Sequence, residues 1–296
     1  MDNIEISMEG RSGKNDERLE KLTILPSISA IYRKTFDVYK KNITRDLLVI
    51  LTAFFAIFII ALISTILPEG LQAAGGTLFI ISVFLGYQIF KLAFARSLAE
   101  NKGITESYVF ALRHLPHYLL SNFYAFLTIL GSSPLILPAV HFYHSYFLTA
   151  YAVAAEGQKR AAPAIRSREY VSGYWWESFG ARITALVSIF MILGVADAII
   201  GKFETVSTIV FSVIIFAFVI PYLLTLEYVL YQELKDKKPD LKGKETRKQA
   251  YLAPNIFGIL GAIMLLAFTV FVITKAPAMF SVYLSNLAAL LTAFVF

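Results

Sequence analysis

The chain has 296 residues, of which 57% are apolar and only 16% are charged, with a net charge of +6 and no cysteine. Soluble domains usually carry about 25% charged residues, so the composition favours a membrane protein. The lack of cysteine excludes disulfides, thiolate chemistry and cysteine-based metal sites. Because apolar residues recur in blocks of about 20, the length that crosses a bilayer, we expect an all-α integral membrane protein. Its architecture would be a polytopic bundle of six to eight transmembrane helices with cytoplasmic interfacial helices.

Residues 1–25 are polar and mixed in charge, and they lack the apolar stretch and cleavage site of a signal peptide. We expect a disordered cytoplasmic tail there, followed by a single polytopic membrane domain over 26–296. Residues 26–42, PSISAIYRKTFDVYKKN, place apolar and aromatic side chains near helical spacing. Two interpretations fit this segment: a helix lying on the cytoplasmic leaflet, or a short cap packed on the spans.

Eight candidate spans follow in chain order: 47–67, 72–90, 118–133, 135–155, 179–196, 206–226, 255–274 and 277–296. Pro116 suggests a helix start ahead of the third span, and Pro221 predicts a kink near the end of the sixth. The last span has no cap at its end, so a re-entrant or interfacial element is the alternative there.

Lys and Arg residues are concentrated in every second segment between the predicted spans. Segments 1–46, 91–117, 156–182 and 227–252 hold 25 of the 27 Lys and Arg residues. Cytoplasmic loops carry the excess of Lys and Arg, so we expect a multi-pass protein of the plasma (inner) membrane with both termini cytoplasmic. The positive net charge then reflects a basic face opposite anionic lipid headgroups, and it gives no reason to expect a nucleic-acid partner.

The loop between the fourth and fifth spans is charged and rich in aromatic residues: AAEGQKRAAPAIRSREYVSGYWWESFG, 154–180. Pro163 suits the first turn of a helix, which we expect to continue from 164 to 176. The candidate contacts to lipid headgroups are Lys159, Arg160, Arg166 and Arg168. Arg168, together with Glu169, could also bond to other cytoplasmic loops. Trp175 and Trp176 are expected at the headgroup level.

The four histidines form two pairs, His114 with His117 and His141 with His144. The pairs differ in predicted depth by roughly 12 Å, whereas metal–nitrogen bonds are about 2 Å long, so the four cannot share a metal. We expect no metal site and no cofactor. The candidate polar intramembrane face consists of His141, Tyr143, His144 and Tyr146. It either lines a proton or solute route or packs against neighbouring helices.

The same charged loop carries a family resemblance. A span ending in YAVAAEG, then AAPAIRS, then REYVSGYWWESFG resembles the membrane domain of glycerophosphoryl diester phosphodiesterases and related bacterial multi-span proteins of unassigned function. The matching motif positions are Glu156, Gly157, Ser167 and Gly173. The resemblance covers about 26–200 and leaves 255–296 as additional spans. It implies a membrane module without the soluble barrel domain that carries the family's enzymatic activity.

Motifs for catalysis are missing from the sequence. It has no Gly-rich phosphate loop, Ser-centred elbow or His-Glu metal motif, and no Asp, Glu, Lys or Arg near the middle of a predicted span. A lipid-modifying enzyme would need acidic or His residues clustered at one membrane surface. We therefore expect a non-enzymatic protein that contacts lipid or an unidentified protein partner in membrane or envelope homeostasis. The alternative is a transporter or channel for a small or lipidic solute.

Overall fold

The computed structural model describes residues 25–65, 72–200, 214–241, 246 and 248–275, and these residues form helices without any strand. The α-helices are α1 Ile28–Thr65, α2 Gln72–Glu100, α3 Ile104–Ser132, α4 Ile136–Ser145, α5 Thr149–Glu156, α6 Ala162–Val171, α7 Trp175–Ile200, α8 Ile220–Lys237 and α9 Leu252–Lys275. A π-helix, Ile215–Val219, precedes α8, and two 3₁₀ turns, Pro239–Leu241 and Lys248–Tyr251, lie between α8 and α9.

Four helical segments of the described chain are long and apolar enough to cross a membrane: Ile28–Ile60, Gly75–Glu100, Trp175–Ala196 and Gln249–Phe271. The prediction of an all-helical protein with membrane-crossing helices is confirmed at this level. The finer count of six to eight spans is not confirmed. Residues 1–24 of the tail predicted over 1–25, part of the sixth span and the whole of 277–296 lie outside the described residues.

The segment before the first predicted span is part of α1. The helix runs without a break from Ile28 to Thr65, since no Gly or Pro interrupts NITRDLL. Its first turns pack on the bundle, where the Tyr32 hydroxyl donates to the Ala181 carbonyl (2.7 Å) and Lys34 pairs with Glu233 (2.6 Å). Of the two interpretations of 26–42, these contacts favour the cap packed on the spans, while a position on the cytoplasmic leaflet stays a prediction.

Pro116 and Pro221, the two prolines that led to predictions for the third and sixth spans, both lie within helices. Pro116 is inside α3, which begins at Ile104, so the prediction of a helix start at this proline was wrong. Pro221 lies in the first turn of α8, directly after the π-helix. Because the π-helix runs directly into α8, the helical geometry changes next to this proline, and a proline or a π-helical turn is a usual cause of a helix kink.

The predicted fourth span is divided into α4 and α5 by residues 146–148. Ser167 of α6 compensates for the break: its hydroxyl accepts the Leu148 N–H (3.0 Å) and donates to the Ser145 carbonyl (2.7 Å). A helix can break inside a protein when a side chain satisfies the released backbone groups. The prediction of one continuous helix over 135–155 was wrong because that partner comes from a later helix.

Helices α3 and α9 approach each other through two glycines. A Cβ on Gly131 would lie 1.8 Å from the Phe257 carbonyl oxygen, and a Cβ on Gly261 would lie 1.9 Å from the Leu127 carbonyl oxygen. Thr128 donates from its hydroxyl to the Pro254 carbonyl at the same crossing (3.3 Å). Small residues permit such backbone contact between helices in lipid, and here they fix α9 to the bundle.

The buried core occupies one end of the bundle. Every residue from 144 to 154 is buried, and the same core takes in Phe94 of α2 and Leu230 of α8. Away from this core, α1, α7 and α9 expose large apolar side chains, for example Phe190, which is 69% exposed. An exposed apolar surface of this kind suits a hydrocarbon environment.

Candidate functional site

The first two motif positions end α5. Gly157 adopts a left-handed backbone (φ 64°) and its N–H bonds to the Val153 carbonyl (3.1 Å), a helix end that favours glycine. The Glu156 carboxylate accepts hydrogen bonds from the hydroxyls of Tyr170 (2.7 Å) and Tyr231 (2.9 Å). Burial, and next the Glu156 carboxylate, raise the pKa of both tyrosines. Both hydroxyls therefore stay protonated and act as donors.

Arg166 completes this cluster from α6. Its side chain is fully buried and forms ion pairs with Glu169 (3.1 Å) and Glu156 (3.4 Å). The expectation that Arg166 contacts lipid phosphates was therefore wrong. The reason lies in the tertiary structure. The turn after Gly157 folds α6 back on α5, and this brings Arg166 close to the carboxylate of Glu156, ten residues earlier in the chain.

The last two motif positions lie in or next to this hairpin of α5 and α6. Ser167 satisfies the break before α5, as described above. Gly173 has a φ of 87° and follows α6, which ends at Val171 rather than continuing to 176 as predicted. Pro163 does lie in the first turn, as expected. Three motif positions thus have a structural role in one helical hairpin: Glu156 through its hydrogen bonds, Gly157 through its helix end, and Ser167 through its bonds to the break before α5. Gly173 lies just beyond the hairpin.

Two of the other candidate cations face outward. Lys159 and Arg160 are exposed, and the described residues give neither side chain a hydrogen bond or ion pair. Arg160 also has a left-handed backbone (φ 58°), a conformation that costs most residues about 1 kcal/mol or more. These two side chains are available to phosphate groups or to solvent.

Arg168 lies at a cavity of about 460 Å³ between α4, α6 and the segment after α8. Its guanidinium donates to the Ala250 carbonyl (2.7 Å) and lies 5.6 Å from the centre of the Phe142 ring. No carboxylate of the described residues is within ion-pair distance of it. The other cavity walls are His141, Ser145, Glu169, Ser172, Gly173, Trp175, Lys238, Asp240, Leu241, Gln249 and Ala250.

The predicted polar face is divided by the end of α4. His144 and Tyr146 are buried, whereas Tyr143 is 65% exposed. His141 is exposed, and its ring stacks on Trp175 (5.5 Å, 18°) at the cavity wall. The four side chains do not form one face. His141, Tyr143 and His144 all lie within α4, where residues two apart point to different sides of a helix and residues three apart share one. Tyr146 lies beyond the end of α4.

His144 is held as a neutral ring by its partners. Arg182 donates to Nδ1 (3.2 Å), and Nε2 is 2.9 Å from the Ser178 hydroxyl. An arginine can only donate, so Nδ1 must be the acceptor and Nε2 carries the proton. Ser178 in turn donates to the Tyr174 carbonyl (2.9 Å). This chain of bonds fits a structural role for His144.

Sequence reasoning missed the charges that continue this network. Glu227 pairs with Arg182 (3.1 Å) and with Lys91 (3.4 Å), and all three side chains are at most 18% exposed. They come from the ends of three separate predicted spans. One signal could have found them: the charge alternation predicts all three at the same, basic ends of their spans and so at a common depth.

No known protein family, curated protein or solved structure matches the chain. The resemblance to the membrane domain of glycerophosphoryl diester phosphodiesterases stays a prediction. Within the described part of the chain, no group of three or more His, Asp or Glu side chains could hold a metal ion.

Proposed function

We propose that this protein is a non-enzymatic, multi-pass protein of the plasma membrane that binds anionic lipid headgroups on its cytoplasmic face. Both termini lie on that face, and the cavity at Arg168 receives the headgroup. The proposal keeps the family-like role of a membrane module without a catalytic domain, acting in membrane or envelope homeostasis.

The observation that carries the proposal is the placement of Arg168. Its guanidinium is oriented by a backbone carbonyl and an aromatic ring, and these two uncharged groups do not neutralise its positive charge. The guanidinium matches phosphate geometry with several donors. Trp175 forms part of the same wall, and tryptophan is favoured at the headgroup level. The cavity therefore combines a phosphate-binding cation with an interfacial aromatic residue.

Further support comes from exposed basic side chains that form no bond with other described residues. Among the described residues, six exposed basic side chains have no hydrogen bond or ion pair: Arg33, Lys40, Lys41, Arg113, Lys159 and Arg160. The charge alternation puts all six on the cytoplasmic face. Each basic residue near an anionic membrane surface contributes about 1 kcal/mol of attraction.

The test is a lipid titration of the detergent-purified protein, with thermal unfolding as the measurement. Phosphatidylglycerol is expected to raise the midpoint, and phosphatidylcholine with the same acyl chains is not. Arg168→Ala should weaken the apparent affinity for phosphatidylglycerol about tenfold, because a charge-assisted hydrogen bond contributes about 1.5–3 kcal/mol. The double change Lys159→Ala with Arg160→Ala should weaken it by a similar factor.

Lys102→Ala is the matched control, since Lys102 is exposed but already pairs with Glu106 (3.3 Å) and does not line the cavity. Its affinity for phosphatidylglycerol should equal that of the unchanged protein. Equal stabilisation by both lipids, or an unchanged affinity after Arg168→Ala, would contradict the headgroup site.

The alternative function, a transporter or channel for a small or lipidic solute, is favoured by one observation: the cavity reaches His141 of the predicted polar face. Because the chain has no cysteine, His141→Cys gives a single site for a membrane-impermeant thiol reagent. A headgroup site should be labelled from the cytoplasmic side only, as should the exposed control Lys159→Cys. Labelling of His141→Cys from both sides would favour transport.

A further inference from the structure

Asp46 is a buried carboxylate to which the described residues donate no hydrogen bond. It lies within α1, its side chain is fully buried, and neither carboxylate oxygen has a hydrogen-bond partner in this part of the chain. Among the described residues, the cation near it is its chain neighbour Arg45, whose Nε is 3.9 Å from Oδ1. That distance is too long for a hydrogen bond.

The Arg45 guanidinium is engaged with other groups. Nη1 donates to the Asn101 side chain (2.6 Å) and Nη2 to the Asn42 side chain (2.7 Å). Asn101 has a left-handed backbone (φ 54°) in the turn between α2 and α3. Arg45 thus links α1 to this turn, and its own Nε is left buried without a hydrogen bond.

The other titratable groups around Asp46 and Arg45 are neutral. Helix α1 packs on α2, α3, α7 and α8, and among the described residues of these helices no charged side chain acts on Asp46. The titratable neighbours are tyrosines on four helices: Tyr39 of α1, Tyr108 of α3, Tyr151 of α5 and Tyr228 of α8.

An ionised carboxylate in such a site is costly, because removing it from water loses several kcal/mol that only close partners restore. A protonated carboxyl group is neutral and avoids most of that cost. A bound metal cation is disfavoured, since hard cations need about six oxygen ligands and the Arg45 guanidinium would repel them. We propose that Asp46 is a proton-binding site, which keeps its proton in the folded protein at pH values where an exposed aspartate is ionised, and which ionises as the pH rises further.

Ionisation would also change the partner of Arg45. The new charge on Asp46 lies 3.9 Å from the Arg45 Nε and would compete with Asn101 for the guanidinium. Proton loss at Asp46 thereby loosens the contact between α1 and the α2–α3 turn. The site goes beyond lipid binding, because it lies on different helices from the Arg168 cavity.

The test compares the thermal unfolding midpoints of the unchanged protein and Asp46→Asn between about pH 4 and pH 9. The folded state holds this proton more tightly than the unfolded state, where aspartate titrates at about pH 4. Stability is therefore highest below about pH 4, is lost as the pH rises to the value at which folded Asp46 ionises, and is level above that value. The variant Asp46→Asn has no such pH-dependent loss. The two midpoints should agree near pH 4, and the unchanged protein should lie below the variant by about 5 °C or more at pH 9.

Asp37→Asn is the control, since Asp37 is an exposed carboxylate on the same helix; its midpoint should follow that of the unchanged protein at every pH. A difference between Asp46→Asn and the unchanged protein that does not vary with pH would overturn the proposal, as would a lower midpoint for Asp46→Asn throughout. Infrared spectroscopy of protein labelled with ¹³C-aspartate needs no variant. A protonated aspartate band is expected at neutral pH, and its absence would also overturn the proposal.

Discussion

Replacing Gly131 or Gly261 by alanine is expected to separate α3 from α9 and to cost about 3 kcal/mol or more of folding free energy. The added Cβ would lie 1.8 Å or 1.9 Å from a backbone carbonyl oxygen of the facing helix. No rotamer change can relieve a clash with backbone, so the two helices must move apart. That exceeds ordinary overpacking, which costs about 1–3 kcal/mol.

Thermal unfolding in detergent, together with the yield of monodisperse protein, measures this effect. Gly258→Ala on the same helix is the matched control, because its Cβ would meet only the Thr128 hydroxyl at an ordinary 3.8 Å. The control should unfold within a few degrees of the unchanged protein. Gly131→Ala with the stability of Gly258→Ala would show that α3 and α9 do not cross at these glycines.

Arg166→Ala is expected to destabilise the protein by about 3–5 kcal/mol. The change removes the guanidinium from between Glu156 and Glu169, whose side chains are only 11% and 9% exposed. Removing one partner of a buried ion pair leaves the other as an uncompensated buried charge, and this strongly destabilises the folded state. Glu156 would keep its two tyrosine donors, whereas Glu169 would lose its 3.1 Å ion pair with the Arg166 guanidinium.

Chemical or thermal unfolding of the purified variant checks this prediction. Lys159→Ala, an exposed change on the neighbouring turn, should alter stability by less than about 0.5 kcal/mol. Combining Arg166→Met with Glu156→Gln and Glu169→Gln should recover most of the loss, because no charge then stays buried. If Arg166→Ala were as mild as Lys159→Ala, the arginine would have to face solvent or lipid after all.

The long apolar segments were predictable from local composition. Stretches such as LLVILTAFFAIFIIALISTIL contain enough consecutive apolar residues to cross a bilayer, and the structure has long helices at 47–65, 72–90, 179–196 and 255–274. Pro163 marked the start of α6 for an equally local reason, its fixed φ and missing N–H. Such features depend on residues within one or two helical turns.

The sequence by itself therefore determined the class of this protein and the positions of its most apolar helices. The tertiary structure alone decided which charges are buried and how the site is arranged. The sequence predicted Arg166 among lipid headgroups, whereas in the structure it is paired with Glu156 and Glu169. The sequence predicted one helix over 135–155, whereas Ser167 stabilises a break between α4 and α5. Asp46, Arg182 and Glu227 lie near span ends in the sequence yet inside the protein. The physical reason is that burial and ion pairing depend on neighbours from distant segments, whereas helix formation in an apolar stretch depends on that stretch.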